Sequence, residues 1–400
     1  MNDGVVVNGE TDPVWAGVRD AFAENLAEGL DAGASLAVSV NGVPVVDVWG
    51  GADPLTGRAW ERDSVTIGFS VTKGVAAIAL LQLVERGVVD LDATVATYWP
   101  EFAAAGKERI TVRELASHRA GLPVIEIDDI LGVADWDVAT STLAAQAPQY
   151  DTAKYFAYHA LSFGFLVGEV VRRASGQPFG EYVDEHISRP LGLDLWVGQP
   201  ASAESQYLAG LTDDVELGPV VTVPEEPAIW RSTALSGVQL MPLFRRAGGV
   251  QGSEPFNEPR FRGATIPAGN GITNGRSLAR MYAACLGEVD GVRLLGPEIV
   301  AEAASDQAGG VRKPGTGADP WESGIQQVWG VGFEISNYEN PMLGPGSFGH
   351  SGMGGRLGFA QLGSGVSFGY VSQRMAYPAP GTFDPRWNRI LPAVRAALAG

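Results

Sequence analysis

The spacing of hydrophobic residues in the first 50 positions predicts one helix followed by two strands. Asp12 can cap a helix N-terminus, and Pro13 suits its first turn. The apolar residues that follow share one helical face: Trp15, Val18, Phe22 and Leu26. The next apolar residues alternate up to Asn41-Gly42, after which an apolar run resumes over 43–49. This pattern predicts a hairpin closed by a type I′ turn.

The end of the chain returns to a strand-like alternation. It is visible in 328–335, 355–362 and 366–371, and Asp384-Pro385 then starts another apolar helical stripe. Because a helix and a hairpin open the chain while strands and a helix close it, we expect both ends to contribute to one sheet.

The middle of the chain has mostly helical patterns joined by polar loops. The run 75–84 is almost continuously apolar and predicts a buried helix that ends near Gly87, whereas 200–270 is rich in loop residues. We therefore predict an α/β sheet domain built from 1–75 and 290–400. A mainly helical domain, 76–289, is inserted into it, with the active site at the junction.

Ser70 and Lys73 stand three residues apart at the start of this apolar run. Residues with this spacing share a helix face. A lysine that has lost its proton through burial can activate the serine as a nucleophile. Ser70 would also lie near a helix N-terminus, where backbone N–H groups favour negative charge. The alternative is a surface pair in a first helical turn, because this spacing also arises by chance.

The composition narrows the possible partners and the location. A net charge of −18, with no basic tract, excludes nucleic acid and anionic membranes as expected partners. Four hundred residues with 45% hydrophobic content can form substantial cores. The first residues lack a basic and apolar leader, and no segment holds eighteen uninterrupted apolar residues. We expect a cytoplasmic protein.

The sequence predicts neither a metal nor an organic cofactor. The single cysteine, Cys285, lies in an apolar helical pattern and is expected to pack in a core. No zinc-binding spacing occurs among the four histidines, which are His118, His159, His186 and His350. The glycine-rich patterns of nucleotide-binding loops are also absent.

Two further segments could complete a site around Ser70. A serine and lysine pair needs a second proton-transfer group and an oxyanion hole. Tyr158-His159-Ala160 precedes an apolar helical run at 161–171, and His350-Ser351-Gly352 precedes the candidate strand at 355–362. His118, His159 and His186 are expected to be hydrogen-bonded framework residues.

With these motifs, the chain resembles the serine β-lactamase and penicillin-binding-protein superfamily, most closely the class C β-lactamase-like esterases called family VIII carboxylesterases. Further segments that carry the likeness stand in the family's order: Trp49-Gly50-Gly51, 115–123, 269–274 and 329–333. The resemblance implies a β-lactamase/transpeptidase-like α/β fold. In that fold, an antiparallel sheet is flanked by N- and C-terminal helices, and a mainly helical domain is inserted.

The same resemblance implies a role for each motif. Ser70 is the acylated nucleophile, Lys73 its partner in proton transfer, and Tyr158 relays protons to the leaving group. His350, Ser351 and Gly352 occupy the place of Lys-Thr-Gly in the lactamases and are expected to meet the substrate, although His350 could instead have a structural role in orienting the loop. The backbone N–H groups of Ser70 and Met353 would then form the oxyanion hole.

Two departures from the lactamase pattern favour esters over lactams. His350 replaces a lysine that helps to hold the antibiotic carboxylate, and Ala160 replaces an asparagine that contacts its amide side chain. A mostly neutral histidine recognises anions less strongly. Esters also have better leaving groups than amides. The expected activity is therefore a serine carboxylesterase acting on small to medium, mostly uncharged esters.

Other activities remain open for the same site. They are β-lactam hydrolysis, hydrolysis of D-amino-acid peptides or amides, acyl transfer, and a catalytically slow ligand sensor. A second nucleophile pattern, Gly365-Val366-Ser367-Phe368-Gly369, matches the α/β-hydrolase elbow, but it alternates like a strand and follows the last histidine. Apolar pocket walls are expected from four residues in the loop-rich region: Trp230, Met241, Phe244 and Phe256.

Overall fold

The computed structural model describes residues 6–127, 130–153, 155–208, 212–213, 258–307, 328–337, 340–376 and 384–400. The expected pocket walls at Trp230, Met241, Phe244 and Phe256 lie outside these residues. Within the described part of the chain, no helix is long and apolar enough to cross a membrane.

An eight-stranded antiparallel sheet joins the two ends of the chain. Its strands stand in the order β1-β3-β2-β12-β11-β10-β9-β8. Their bounds are β1 Val7–Thr11, β2 Gly33–Val40, β3 Val43–Gly51, β8 Val328–Trp329, β9 Glu334–Ile335, β10 Ser347–Gly352, β11 Arg356–Gln361 and β12 Val366–Ser372. Because β2 pairs with β12, the prediction that both ends share one sheet is confirmed.

Smaller strand groups lie outside this sheet. Strands β4 (Thr66–Ile67), β7 (Gly271–Thr273) and β5 (Leu195–Val197) form a three-stranded sheet, while β6 (Thr212–Asp213) pairs with β13 (Arg374–Met375). The α-helices of the described residues are α1 Ala16–Ala27, α2 Thr72–Glu85, α3 Val112–Ala116, α4 Trp136–Ala145, α5 Ser162–Ser175, α6 Phe179–Val183, α7 Arg189–Leu191, α8 Pro259–Gly263, α9 Gly275–Leu286, α10 Pro297–Ala303 and α11 Pro385–Ala399.

Local sequence signals explain the ends of several elements. The Asp12 side chain accepts a hydrogen bond from the Val14 N–H, as a helix cap should, although a 3₁₀ turn precedes α1. Asn41 and Gly42 both have positive φ, at 49° and 81°, which confirms the type I′ hairpin. The Asp384 side chain caps α11 through the Arg386 N–H.

Two layers of helix cover the sheet. Helices α1 and α11 pack together, and the large apolar residues of β2, β11 and β12 join their core: Leu36, Val38, Leu357, Phe359, Val366, Phe368 and Tyr370. Helix α9 packs on β2, β11 and β12. Ala37 and Gly369 alternate with those large residues and are therefore on the face toward α9. Buried Cys285 lies on α9.

Some strands were not visible in the apolar pattern. The chain at 328–335 forms two short strands with a turn between them, rather than one continuous strand. Strand β10 was not predicted, because glycine and polar residues occupy five of its six positions. Ser367 is buried and is the second residue of β12, so the Gly365–Gly369 pattern leads into a strand and is not a strand-to-helix elbow.

Helix α2 crosses the interior beside the sheet. Its residues 72–83 are all buried, and it packs on α5. Thr111 and Glu114 form the reciprocal hydrogen bonds of a capping box at the start of α3. Helix α9 contacts the sheet although it falls within the range predicted as the helical domain. The division at residues 75 and 289 stays a prediction.

Gly275 sets how closely α9 approaches the sheet. A Cβ atom at this position would lie 2.7 Å from the Ser35 carbonyl oxygen and 2.8 Å from that of Gly369. We expect Gly275→Ala to lower the free energy of unfolding by about 1–3 kcal/mol, because backbone atoms must move apart. Denaturant unfolding followed by circular dichroism measures this change.

The matched control is the same substitution at Gly17 on the exposed surface of α1, where a Cβ atom meets nothing within 4 Å. Gly17→Ala should raise the free energy of unfolding by about 0.5–1 kcal/mol. Equal effects at the two positions would contradict the close approach of α9.

Candidate active site

Ser70 lies in a 3₁₀ turn, 69–71, that leads directly into α2. The preceding residue, Phe69, has a positive φ of 50°, an unfavourable conformation for a bulky side chain. The Thr72 hydroxyl donates to the Phe69 carbonyl at 2.5 Å and accepts from the Gly271 N–H at 2.8 Å. The Gly68 N–H donates to the Gly271 carbonyl at 2.7 Å. Strand β7 therefore holds the turn that presents Ser70.

Three polar atoms meet at this turn. Ser70 Oγ lies 3.0 Å from Lys73 Nζ and 3.0 Å from the Tyr158 hydroxyl oxygen. Lys73 Nζ also donates to the Ala268 carbonyl at 2.9 Å. It lies 5.0 Å from the centre of the Tyr158 ring. The structure thus brings together Ser70, Lys73 and Tyr158, as the sequence predicts.

Burial controls the protonation of this group. Lys73 is fully buried, and its amine donates to the Ser70 hydroxyl and the Ala268 carbonyl rather than to a carboxylate of the described residues, so desolvation holds its pKa well below 10.5. Burial also raises the pKa of Tyr158 above its usual value, against the hydrogen bond with Ser70. These directions favour a neutral amine, which can accept a proton, and a neutral phenol, which can donate one.

A histidine framework orients Tyr158. His118 Nδ1 accepts from the His159 N–H at 3.0 Å, and His159 Nε2 accepts from the Leu122 N–H at 3.0 Å. His159 Nδ1 lies 2.6 Å from the Ala157 carbonyl and therefore carries a proton. Burial lowers the pKa of both rings, that of His159 to about 4. These neutral histidines fix the backbone on both sides of Tyr158.

The Tyr158 ring also has aromatic neighbours. It stacks on Trp329 with 5.4 Å between ring centres and 16° between planes. His118 meets the same indole edge-on at 4.2 Å. Trp329 is buried at the end of β8. Because Trp329 holds the ring and the histidines hold its backbone, the phenol oxygen stays close to Ser70.

His350 and Ser351 present hydrogen-bond acceptors rather than cations. His350 Nδ1 lies 2.6 Å from the Ser351 carbonyl, so Nδ1 carries the proton and Nε2 a lone pair. Nε2 has no hydrogen-bond partner among the described residues. Burial lowers the His350 pKa to about 3, with help from the nearby Lys73 amine. This ring is therefore uncharged at neutral pH.

The Glu334 carboxyl accepts hydrogen bonds from both donors of Ser351, its hydroxyl and its backbone N–H. Its Oε2 accepts from the Ser351 hydroxyl at 2.9 Å, the Ser351 N–H at 3.2 Å and the Asn340 side-chain amide at 2.9 Å. Burial raises the pKa of this carboxyl, although its hydrogen bonds oppose the change. The Ser351 hydroxyl is therefore already engaged as a donor, and a carboxyl group stands behind it.

Gly352 brings the end of β10 against the turn 69–71. We call it the nucleophile turn, because it carries Ser70, the predicted nucleophile. A Cβ atom at this position would lie 2.5 Å from the Gly68 carbonyl oxygen and 3.3 Å from Val71. Glycine is therefore needed for the close approach. Met353 follows directly, so its backbone N–H begins the turn between β10 and β11.

Two groups of this site, Glu334 and the Ala268 carbonyl, were not identified from the sequence. Glu334 was not singled out, although an acidic residue within the apolar run 328–335 is an unusual signal. The Ala268 carbonyl carries no side-chain signal, and only its place beside the 269–274 segment could have indicated it. Among the described residues, no group of three or more histidine, cysteine or carboxylate side chains could hold a metal ion.

Comparison with known proteins places these features in a family. The Beta-lactamase family matches residues 18–391. The esterase/beta-lactamase LipL of Mycobacterium tuberculosis is 33% identical over 400 residues, which cover 98% of this chain and 89% of that protein.

Two solved structures are similar over their whole length. A family VIII carboxylesterase superposes with a TM-score of 0.81 at 32% identity, covering 98% of this chain and 100% of that one. A penicillin-binding protein homologue from Caulobacter crescentus gives a TM-score of 0.79 at 32% identity, with the same coverage. The expected fold and resemblance are confirmed. The chain therefore belongs to the Beta-lactamase family, and it is a serine hydrolase.

Proposed function

We propose that the protein is a carboxylesterase that cleaves small to medium, uncharged esters through an acyl-enzyme on Ser70. The observation that carries this proposal is the position of Ser70 Oγ, 3.0 Å from both a buried amine and a buried phenol. Similarity to proteins named as esterases supports it.

Acylation follows from the protonation states that burial favours. The neutral Lys73 amine takes the Ser70 proton as Oγ attacks the ester carbonyl carbon. The N–H groups of Ser70 and Met353 bind the oxyanion, a role in which one donor is typically worth about 3–4 kcal/mol. Tyr158 gives its proton to the departing alcohol oxygen, and the proton held by Lys73 restores the phenol. The acyl group then remains on Ser70.

Deacylation uses the same groups in the reverse direction. Water attacks the acyl carbon, its proton passes to the pair formed by Lys73 and Tyr158, and Ser70 regains a proton as it leaves. The raised pKa of Tyr158 keeps it in the phenol form, which has no free basic site, so Lys73 is the better candidate for the first step. The titrations of the two groups remain coupled.

The third motif favours substrates without a carboxylate. An uncharged His350 offers a bare lone pair at Nε2, and the Ser351 hydroxyl donates to Glu334. Neither group supplies the cation or free donor that an anionic substrate would need. Among the described residues of this motif, the surroundings of Ser70 are thus better suited to neutral esters than to penicillin-like acids.

A second activity has specific support. LipL carries both esterase and β-lactamase in its name and matches almost the whole chain. Slow β-lactam hydrolysis by the same Ser70 acyl-enzyme is therefore our second candidate. Parallel rates on p-nitrophenyl butyrate and a chromogenic cephalosporin would rank the two activities.

Ser70→Ala should lower kcat on p-nitrophenyl butyrate by about 10⁴–10⁶-fold, because the nucleophile is lost. The control is Ser367→Ala, which changes a buried serine of β12 in the rejected nucleophile pattern. Folded Ser367→Ala should retain kcat within about twofold. Loss of activity in this control, with activity kept in Ser70→Ala, would overturn the assignment of the nucleophile.

The pH dependence distinguishes Lys73 from His350 as the base. If neutral Lys73 takes the proton, kcat/KM rises with pH as the ammonium deprotonates, and the rise is complete well below pH 10.5. In His350→Gln the midpoint of this rise should stay unchanged, because His350, with a pKa of about 3, is already neutral. A rise that disappears in His350→Gln would show that the histidine is the base instead.

The charge of the acyl group tests the role assigned to Glu334. We expect wild-type kcat/KM to be higher for p-nitrophenyl butyrate than for p-nitrophenyl hemisuccinate, which carries a carboxylate. Glu334→Gln should raise kcat/KM for the anionic hemisuccinate and thereby lower this ratio about tenfold. That change equals about 1.4 kcal/mol.

The matched control for this experiment is Glu298→Gln, the same change of net charge at an exposed position of α10. It should leave the ratio unchanged. An unchanged ratio in Glu334→Gln would show that the carboxyl group does not exclude anionic substrates.

A further inference from the structure

We infer that Arg386 and Trp387, at the start of the C-terminal helix α11, are positioning residues for the oxyanion hole. This inference rests on the proposed use of the Met353 N–H as an oxyanion donor. The two residues do not need to touch substrate. They hold the turn 353–355, whose shape decides where that N–H points.

Side-chain donors engage each carbonyl of the turn. Arg356 Nη1 donates to the Met353 carbonyl at 3.1 Å, and Arg386 Nη2 donates to that of Gly354 at 2.6 Å. Trp387 Nε1 donates to the Gly355 carbonyl at 2.9 Å. Three successive peptide planes are thus fixed by groups outside the turn.

The geometry of the peptide bond transmits this constraint to the Met353 N–H. In a trans peptide, the carbonyl and the N–H point in opposite directions. The Gly352 carbonyl belongs to the same peptide plane as the Met353 N–H, and it accepts from the Gly355 N–H at 3.1 Å. This bond closes a four-residue turn, 352–355, whose third residue, Gly354, has a positive φ of 73° that glycine adopts without strain.

Arg386 is itself rigidly held. Its guanidinium is fully buried and pairs with both oxygens of Asp384, at 2.8 Å from Nε and 2.6 Å from Nη2. Nη1 donates to Asp31 at 3.0 Å and to the Ser372 hydroxyl at 2.8 Å. A Cβ atom at Gly355 would fall on Arg386 and Asp384, so the turn and the guanidinium are in direct contact.

A second link ties this turn to the other oxyanion donor. The Arg356 guanidinium lies 5.1 Å from the ring centre of Phe69, the residue before Ser70. Arg356 therefore contacts both the segment that carries the Met353 N–H and the segment that carries the Ser70 N–H. The spacing of the two donors depends on the turn that α11 supports.

Trp387→Phe tests the inference, because it removes the indole donor to Gly355 and keeps an aromatic ring. Trp15→Phe is the matched control, since Trp15 lies in the same hydrophobic core. With p-nitrophenyl butyrate, we expect Trp387→Phe to lower kcat by about 5–10-fold with KM changed less than about twofold. Trp15→Phe should leave both constants within about twofold. All rates are divided by the Ser70 sites titrated with a p-nitrophenyl phosphonate, which corrects for unfolded protein.

A tetrahedral inhibitor separates positioning from general damage. The inhibition constant of a phenylboronic acid, whose adduct places an oxygen in the oxyanion hole, should rise in Trp387→Phe by the factor by which kcat/KM falls. An unchanged kcat per titrated site, or an equal loss in Trp15→Phe, would overturn the inference. Absence of Ser70-dependent ester cleavage in the wild type would instead overturn the proposed function.

Discussion

The proposed chemistry of this protein depends on burying a lysine amine without a carboxylate partner beside it. Water would keep Lys73 protonated, and an ammonium cannot accept a proton from Ser70. Helix α2 places the amine in the core, and a neutral carbonyl, Ala268, satisfies one donor without stabilising a positive charge as a carboxylate would. The approach of the segment 268–271 to the turn at 69–71 is therefore a condition for the proposed reactivity as well as for packing.

The histidines around Lys73 are also uncharged. His118 binds a backbone N–H through Nδ1, His159 binds backbone groups through both ring nitrogens, and His350 donates to the Ser351 carbonyl. A protonated imidazole close to Lys73 would be repelled by any charge on the amine, and each ring is buried in its neutral form. In the proposed mechanism, the polar groups of the site thus have separate functions. Lys73 and Tyr158 move protons, and the histidines hold the backbone that positions them.

The sequence predicts the parts of this arrangement that arise from short-range patterns. The helix after Asp12, the hairpin at Asn41-Gly42 and the one-turn spacing of Ser70 and Lys73 all follow from local rules. Strand β10 escapes them, because glycine needed for close contact with the nucleophile turn weakens its strand pattern.

Long-range contacts explain what the sequence could not show. Tyr158 is 88 residues from Ser70, and its position was expected from family resemblance rather than from periodicity. The bond between Glu334 and Ser351 and the bonds of Arg386 to the 353–355 turn depend on how strands and helices pack. Nothing in the local pattern distinguishes Arg386 from a surface arginine, whereas the acidic Glu334 within an apolar run was a signal that could have been used.

The salt bridge between Asp31 and Arg386 joins residues 355 positions apart. This separation affects how the chain folds during its synthesis on the ribosome. Helix α2, which follows Ser70, emerges early, whereas strand β12, which pairs with β2, and helix α11, which supports the 353–355 turn, are synthesised much later. At about 5–20 residues per second, the first strands wait many seconds for their partners. During that interval their edges are exposed to misassociation, and Ser70 lacks its surroundings. The proposed reactivity therefore arises only after strand β12 and helix α11 have been made.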